Sequence, residues 1–393
     1  MHPIDAAERR ARLASRHRLA PIHKADDPLQ VARDLVAIHS TDAPSVYLAA
    51  LARMKRGSLE AVERALYDER CLVRVMGMRR TVFAVSRELV PVVIAACGRA
   101  VGARERRTLL AMLAESGLAE TDESWLEEAE ASALKALALL GEAKAAELAA
   151  CDPRLGASIV LNEGKPYEAR LKVASRVLTL LAAEGRMVRA RPVGSWRSSQ
   201  YRWSLMETWM GEPLAEWTAE RAQAELARRW LSTFGPATVE DFRWWSGLTL
   251  GAVKKAFSQL SLAEVDLGGA SGFVLAGDID PAPPVDPWVA LLPSLDSTPM
   301  GWKHREWFLG DHGPQLFDTT GNIGPTVWAD GRIVGGWAQR KDGEVVIKLL
   351  EDVGTDAAAA IEAAAENLAS HIGPVRLAPR ARVLSPLEKE LSR

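Results

Sequence analysis

The sequence has few cysteines and no long hydrophobic run. Cys71, Cys97 and Cys151 are the only cysteines in 393 residues, and no two of them form a Cys-x-x-Cys pair. An odd, scattered set of this kind favours neither a disulfide framework nor a cysteine-based zinc site. No apolar run approaches the roughly 18 residues of a membrane-spanning helix, and the N-terminus lacks the apolar core of a signal peptide. We therefore expect a cytoplasmic protein that does not contact a membrane.

Several common catalytic motifs are also absent. The seven histidines are scattered, and no His-x-x-x-His or His-Glu-x-x-His pair occurs, which disfavours a histidine-based metal site. The chain has no Walker A loop, no Gly-x-Gly-x-x-Gly fingerprint and no Gly-x-Ser-x-Gly elbow. These absences disfavour nucleotide-driven chemistry and hydride transfer. We expect neither a metal nor a cofactor.

The chain also lacks an excess of positive charge, since 49 basic residues face 51 acidic ones. A protein that coats nucleic acid nonspecifically is usually basic overall, so any nucleic-acid site must be a local basic surface. Residues 70–107 carry nine arginines and two acids, and residues 185–206 carry five arginines and no acid. These stretches suggest DNA contacts, although a solvated strand face would show the same composition. The candidate contacts are Arg79, Arg80, Arg186, Arg189, Arg197, Arg202 and Trp196.

What the sequence does contain is a repeated order of helical and strand patterns. Helical spacing over 28–38, 46–54 and 58–67 precedes two β-type runs at 71–76 and 81–85. A similar order follows in 127–149, in a long helix predicted from Tyr167 to Glu184, and in a strand from Met187. The third copy has helices at 238–245 and 250–260 and a hairpin at 265–275. Helices followed by a two-stranded ribbon are the layout of a winged helix.

After a proline-rich linker at 280–287 the pattern changes. Four alternating runs, at 289–292, 326–328, 332–337 and 344–350, predict strands, and turns at 329–331 and 341–343 predict hairpins between them. A helix over 356–369 and a strand near 375–377 close the chain. We expect an α+β protein with three tandem winged helices and a small C-terminal β-barrel. The predicted domains are 1–110, 111–215, 216–280 and 281–393.

One short cluster could carry chemistry. His39, Ser40, Thr41 and Asp42 follow one another at the end of the first predicted helix, ahead of Pro44. An imidazole beside hydroxyls and a carboxylate could act as a general base and position a water. The same residues are ordinary at a helix end followed by an N-cap, so both interpretations stay open.

Twelve of the 13 tryptophans lie between Trp196 and Trp337. Trp196 and Trp203, beside the arginines of 185–206, could stack on nucleic-acid bases. The Trp244–Trp245 pair, Trp328 and Trp337 are better explained as core and interdomain packing.

Several stretches resemble a known family. They are LVAIHSTD from residue 35, VMGMRRTVFAV from residue 75, FGPATVEDFRWWSGL from residue 234, LPSLDSTPMGWK from residue 292 and DGRIVGGW from residue 330. Together they identify the chain as similar to the winged-helix family of the AlkZ-type DNA glycosylases, over roughly residues 28–380. That resemblance implies three winged helices and a β-barrel around a C-shaped DNA channel. It also implies a protein, associated with the nucleoid, that acts on double-stranded DNA carrying a damaged base. We expect a monomer, because three winged units and a barrel leave little obvious dimerisation element.

The family's catalytic motif is Gln-apolar-Gln or Gln-apolar-Asp, and the matching positions here hold His39, Ser40 and Thr41. Neither glutamine is present. The resemblance then suggests that His39 activates a water, that Thr41 orients it and that Asp42 holds the imidazole or stabilises positive charge, with Ser40 facing DNA. Asp296 lies in a segment that resembles the channel side, so it is a further catalytic candidate, or else a structural loop carboxylate. The turns at 330–331 and 341–343 match a hairpin that probes the DNA groove.

Two function classes follow. The first is a monofunctional DNA glycosylase that hydrolyses the N-glycosidic bond of alkylated or crosslinked purines. The second is a non-catalytic winged-helix DNA-binding protein or regulator. A different hydrolase that uses His39 and Asp42 is a third interpretation, without a nucleophile motif to support it.

Overall fold

The computed structural model describes residues 1–118, 123–162, 164–165, 168–377 and 383–393. These residues form a mixed α+β fold, and its helices and sheets follow one another in four regions. We call them the first region (residues 1–115), the second (123–210), the third (219–275) and the fourth (289–391). No helix of the described chain is long and apolar enough to cross a bilayer.

The first region combines six helices with a small sheet. Its elements are β1 (His2–Pro3), α1 (Ala6–Arg16), α2 (Pro28–Asp34), β2 (Ile38–His39), α3 (Ala43–Leu51), α4 (Leu59–Glu63), β3 (Leu72–Met76), β4 (Val82–Ser86), α5 (Val90–Val93) and α6 (Arg99–Glu115). Strands β2, β4 and β3 pair in that order as an antiparallel sheet. The strands predicted at 71–76 and 81–85 are confirmed. Both are buried at every position, which holds the turn between them rigidly.

The second region repeats this order with a hairpin inserted. Its elements are α7 (Glu123–Leu140), β5 (Glu142–Lys144), α8 (Ala145–Cys151), α9 (Pro153–Gly156), β6 (Ser158–Leu161), β7 (Ala169–Lys172), α10 (Val173–Ala183), β8 (Met187–Pro192), β9 (Tyr201–Leu205) and α11 (Met206–Met210). The helix predicted from Tyr167 is too long. Tyr167 lies outside the described residues, and residues 169–172 pair with β6 as a strand, so the helix begins at Val173. Strands β5, β9 and β8 form the sheet.

The third region contains α12 (Ala219–Phe234), α13 (Val239–Ser246), α14 (Leu250–Phe257), β10 (Leu262–Asp266) and β11 (Ser271–Leu275). Thr238 caps α13 through a capping box with Asp241, as its sequence spacing predicts. Strand β1 at the N-terminus pairs in parallel with β10. The first residues of the chain therefore complete the sheet of the third region.

The fourth region contains β12 (Val289–Leu292), α15 (Glu306–Leu309), α16 (Gly313–Leu316), β13 (Thr326–Ala329), β14 (Arg332–Gln339), β15 (Val345–Leu349), α17 (Thr355–Ile372) and α18 (Pro386–Leu391). The four strands form an antiparallel sheet in sequence order. The expected barrel is wrong, because β12 and β15 are the two edges of this sheet and do not pair within the described chain. Residues 375–377 are not a strand either. The side chain of Gln339 bonds the backbone of Val375 and Leu377 instead.

One hydrophobic core joins the first, third and fourth regions and reaches Trp196 in the second. Most of the second region packs around a separate core that includes Leu126 and Val177. Trp328 and Trp337 are fully buried, which supports their interpretation as packing residues. Trp196 and Trp203 are each only 8% exposed, so both rings pack inside the protein in this conformation.

Candidate active site

The segment from His39 to Asp42 lies at a strand–helix junction, rather than at a helix end as the sequence suggested. Helix α2 stops at Asp34, and Val36 adopts a positive φ of 64° that ends the helical path. Residues 38–39 then pair with Phe83 and Ala84 on β4. Helix α3 begins at Ala43. Strand pairing on one side and a helix on the other fix the direction of each side chain.

His39 is enclosed. Its side chain lies edge-on to Phe83, with 5.1 Å between ring centroids. Its Nδ1 atom is buried and has no hydrogen-bond partner in the described part of the chain. Burial, with a smaller contribution from the charge of Arg79, lowers the pKa of His39 to about 3. The imidazole is therefore neutral at physiological pH and is a weak base, since an efficient general base has a pKa near the working pH.

The two hydroxyl residues hold the segment in place. The Oγ1 atom of Thr41 accepts the backbone N–H of Val82 at 3.2 Å. Ser40 is fully buried, and its Oγ accepts the Nε–H of Arg74 at 2.8 Å. Both hydroxyls bond to the first region itself, and Ser40, a candidate DNA contact, does not reach the surface in this structure.

Asp42 differs from its neighbours because one carboxylate oxygen is uncommitted. It precedes α3 but makes no side-chain capping bond, although aspartate often caps a helix. Its Oδ2 lies 2.9 Å from the Oγ of Ser45 and 3.5 Å from the Oγ of Ser294. Among the described residues nothing donates a hydrogen bond to Oδ1. The carboxylate is anchored at one oxygen and available at the other.

Asp42 lines a cavity of about 390 Å³ between the first and fourth regions. Leu48, Trp337 and Leu377 supply apolar wall, and Ser45 and Ser294 add hydroxyls beside the carboxylate. Arg340, Lys341 and Arg376 bring positive charge to the same cavity. The volume falls in the range of small-molecule sites, which are apolar clefts with a few convergent polar groups.

Asp296 supports this site from behind. Its carboxylate is fully buried and forms a two-bond ion pair with Arg53, at 2.7 and 2.8 Å. Arg53 also donates to the carbonyl of His17 and to the Oγ1 of Thr298. The pair thereby clamps the loop that carries Ser294 and Ser297 against α3. In this arrangement both oxygens of Asp296 accept hydrogen bonds, and Asp296 does not line the cavity.

No group of three or more His, Cys, Asp or Glu side chains in the described residues is arranged to hold a metal ion. The groups available for chemistry at the cavity are the carboxylate, hydroxyl, amide and cationic side chains of the protein.

The model of the AlkZ-like DNA glycosylase family matches residues 32–371 of this chain. The chain belongs to this family. A curated relative, the interstrand DNA cross-link repair glycosylase of Streptomyces sahachiroi, is 29% identical over 170 residues, which cover 41% of this chain and 46% of the relative. The alignment thus spans less than half of that relative. The solved structure of the DNA glycosylase AlkZ from the same organism covers 93% of this chain and 97% of its own, with a TM-score of 0.71 and 20% identity.

In this AlkZ-like chain, most candidate DNA contacts of residues 185–206 already have partners. Arg186 pairs with Glu130 at 3.1 Å, and Arg202 lies 3.5 Å from Glu142. Arg189 is largely enclosed near the rings of Tyr201 and Trp203. Both acids come from other elements, so a stretch without acids in the sequence is partly neutralised in the fold.

Arg197 and the two arginines of the turn between β3 and β4 have different surroundings. Arg197 is exposed and donates to the backbone carbonyl of Arg376 at 2.5 Å, which places it beside the cavity. Arg79 stacks on Trp244, with its guanidinium carbon 4.1 Å from the ring centre. Arg80 pairs with Glu105 through both carboxylate oxygens. Arg80 and Arg197 are exposed, whereas Arg79 is half-buried.

Sequence reasoning missed most of the cavity. The turn at 341–343 had been singled out as a hairpin, and it does carry Lys341 to the rim. No local sequence pattern marks Ser45, Ser294 or Arg376 as a site residue. Each is an isolated polar residue that lines the cavity only because the first and fourth regions come into contact. Arg53 was missed for the same reason.

Proposed function

We propose that this protein is a DNA repair glycosylase that excises alkylated or crosslinked purines from duplex DNA by hydrolysis of the N-glycosidic bond. The observation that carries the proposal is the free carboxylate oxygen of Asp42 in a cavity of about 390 Å³. Membership of the AlkZ-like family supports the same function. A base inside a duplex is out of reach, so such an enzyme must turn the target nucleotide out of the stack.

The cavity suits a flipped alkylpurine. Its apolar wall at Leu48, Trp337 and Leu377 matches the faces of a flat ring, and the carboxylate of Asp42 favours a base that alkylation has made cationic. Arg340 and Lys341 lie on the turn after β14, where they can contact the phosphates on either side of the flipped nucleotide. Arg197, next to Arg376, can extend this contact along the backbone.

The chemistry then needs only water and a carboxylate. The N-glycosidic bond breaks and its electron pair leaves with the cationic base, which departs neutral. The sugar develops positive charge that the Asp42 carboxylate stabilises. A water adds to the anomeric carbon and gives its proton to Asp42, as in general-base catalysis. Because water is the nucleophile, the enzyme is monofunctional and does not cleave the DNA strand.

His39 and Thr41 enter this proposal as positioning residues. The sequence suggested that His39 activates the water, but a pKa of about 3 makes that imidazole a poor proton acceptor. The backbone N–H of His39 faces the Oγ of Ser297 at 3.3 Å, and Thr41 holds Val82. Together they fix the backbone that leads into Asp42, which is the catalytic group in our proposal.

We also infer that the first, second and third regions are winged helices and that the protein acts as a monomer on double-stranded DNA. In each region, helices pack with a three-stranded sheet that contains a two-stranded ribbon, and β1 from the N-terminus supplies the third strand of the third region; this arrangement is typical of that fold. Wings and recognition helices contact phosphates and groove edges. Arg79, Arg80 and Arg186 lie on or beside such ribbons.

The direct test is release of a methylated purine from alkylated duplex DNA, followed by mass spectrometry. The wild-type protein should release the base, and Asp42→Asn should lower the single-turnover rate by about 100-fold or more, the range lost with a general base. Asp356→Asn, an exposed change at the start of α17, is the matched control and should keep full activity. Borohydride should trap no covalent complex, because no lysine forms a Schiff base with the sugar. No release, or full activity of Asp42→Asn, would overturn the proposal.

A second candidate, a non-catalytic DNA-binding protein, is favoured by one observation. At the family's motif positions His39 and Ser40 are buried, the hydroxyls of Ser40 and Thr41 bond within the first region, and neither motif glutamine is present. This alternative predicts salt-dependent DNA binding without base release. The same assay therefore separates the two functions.

A further inference from the structure

A cleft of about 750 Å³ lies where the first three regions meet, apart from the cavity at Asp42. It is lined by the turn between β3 and β4, by α6, by α10 and by the turn that follows α13. Five arginines line it, against one acid, Glu105. They are Arg79, Arg80, Arg104, Arg107 and Arg176.

Four of these arginines have no acid to neutralise them. Glu105 is taken by Arg80. Within the described residues no carboxylate forms an ion pair with Arg79, Arg104, Arg107 or Arg176. Their neighbour Arg106 shows the contrast, since it pairs with Glu130 and Glu184. The cleft therefore concentrates positive charge in a protein whose formal net charge is −2.

The charge is presented by rigid elements of the first and second regions. Arg104 and Arg107 are one helical turn apart on α6, which puts them on one face. Arg176 lies on α10, the helix that precedes the second ribbon. Arg79 and Arg80 form the turn between β3 and β4, and both adopt positive φ, at 51° and 60°, which is uncommon outside glycine.

The third region closes this junction. Gly247 has a φ of 74°, and a Cβ there would meet the backbone N of Arg79 at 3.1 Å, so only glycine fits without strain. Trp244, on the same side, lies between Arg79 and Arg305, at 4.1 and 4.8 Å from the ring centre. Burial and the charge of Arg305 lower the pKa of Arg79 to about 10. Arg79 remains cationic at neutral pH but lacks a counter-ion.

We propose that this cleft binds the phosphate backbone of duplex DNA, and that Arg104, Arg107 and Arg176 each neutralise a phosphate. Guanidinium groups make planar, two-bond contacts to phosphate, and a linear polyanion can satisfy several cations from different elements at once. The proposal rests on the proposed function only for its choice of DNA as the partner. It adds three DNA contacts, on α6 and α10, to those of the proposed function.

The test measures binding of a fluorescent undamaged duplex by anisotropy as a function of salt. Each phosphate contact contributes about 0.9 to the slope of log K against log salt. The triple variant Arg104→Gln, Arg107→Gln, Arg176→Gln should therefore make the slope shallower by about 2.7. It should also weaken binding at low salt by about tenfold or more. Thermal melting should match the wild type, because these side chains have no ion pair to lose.

The matched control removes the same charge elsewhere. Arg56→Gln, Lys135→Gln and Arg221→Gln change three exposed cations outside the cleft. Together they should make the slope shallower by less than the contribution of one phosphate contact, about 0.9. An equal loss of slope in both triple variants would mean that only net charge matters. That result, or an unchanged slope in the cleft variant, would overturn the proposal.

Base release under saturating protein separates this inference from the proposed function. The cleft variant should need more protein than the wild type to reach its maximal single-turnover rate, because it binds DNA more weakly and its residues do not line the cavity. Asp42→Asn should lose release and keep the slope. If the wild type releases no base while the cleft variant loses slope, the proposed function fails and the cleft proposal stands.

Discussion

The arginines of residues 185–206 and the arginines of the basic cleft occupy different electrostatic surroundings. In the first group, Arg186 faces Glu130, Arg191 faces Asp68 and Arg202 faces Glu142. In the second group, as far as the described residues show, only Arg80 has a carboxylate partner, Glu105. The first group has no acid within its own stretch of chain, whereas the second group has Glu105 one residue from Arg104. Along the chain, acids lie closer to the second group, whereas in the fold more arginines of the first group are paired with acids.

This difference shows what a paired arginine contributes. A surface ion pair adds roughly 0–1 kcal/mol to stability, and it also occupies the cation that a phosphate would need. An unpaired arginine adds no such stability but remains available to a polyanion. We therefore expect acid removal to affect stability where an arginine is paired, and arginine removal to affect DNA binding where it is not.

The largest effect should come from the most deeply paired arginine. Arg53 and Asp296 have fully buried side chains, so Asp296→Asn leaves a buried cation without its counter-ion. Breaking such a pair costs about 3–5 kcal/mol, and thermal melting or urea unfolding should show this loss.

Asp26→Asn is the control for that change. Asp26 pairs with Lys55 at 2.9 Å, but 75% of its side chain is exposed. Exposed pairs of this kind contribute little, so its midpoint should match the wild type. Equal midpoints for the two variants would contradict the comparison between buried and exposed pairs.

A smaller effect is expected from pH. In the unfolded chain His39 takes up a proton near pH 6.5, but in the folded protein it does so only near pH 3. The unfolded state then binds more protons in that interval, so stability falls as the pH is lowered from 6.5 towards 3. The loss at pH 5 should be about 2 kcal/mol. His39→Gln should remove this contribution in urea unfolding at pH 7 and pH 5.

Two other histidines, His17 and His2, help to interpret that measurement. Burial also lowers the pKa of His17, so His39→Gln should reduce the acid sensitivity without abolishing it. His2→Gln, an exposed change in β1, should leave it as in the wild type. If His39→Gln shows the full pH dependence of the wild type, His39 does not stay neutral in the folded protein.

The regular elements of this fold could be predicted because their periodicity is local. The ribbon at 71–86, the helix capped by Thr238 and the strands at 326–337 follow from apolar spacing and turn residues. The pairing of β1 with β10 could not, because it joins the N-terminus to the third region. Barrel closure was predicted wrongly for the same reason: local alternation indicates strands but not which edges pair.

The candidate site was partly predictable. The short cluster at His39–Asp42 was visible in the sequence, and Asp42 does reach a cavity. Its neighbours Ser294 and Arg340 come from the fourth region, so no local pattern connects them. The backbone N–H of His39 bonds Ser297 in the loop that Arg53 and Asp296 hold in place, and the sequence of the cluster does not show this contact. Arg176 was missed because it lies in an apolar helix, away from the arginine-rich stretches.

The smallest effect should come from removing an acid that pairs with arginines at the border of the cleft. Glu130 is 3% exposed and pairs with both Arg106 and Arg186. Glu130→Gln frees both arginines from this carboxylate and leaves them only Glu184, 3.2 Å from Arg106 and 3.8 Å from Arg186. Stability should fall by about 1 kcal/mol, because both arginines stay partly hydrated. The salt slope of DNA binding should rise by about 0.9 for each freed arginine that reaches a phosphate. Glu128→Gln, which removes the exposed partner of Arg154, gives the same charge change further from the cleft. A steeper slope in Glu130→Gln alone would mean that pairing, rather than position, keeps Arg186 from DNA, whereas equal slopes would mean that Arg186 does not face the duplex.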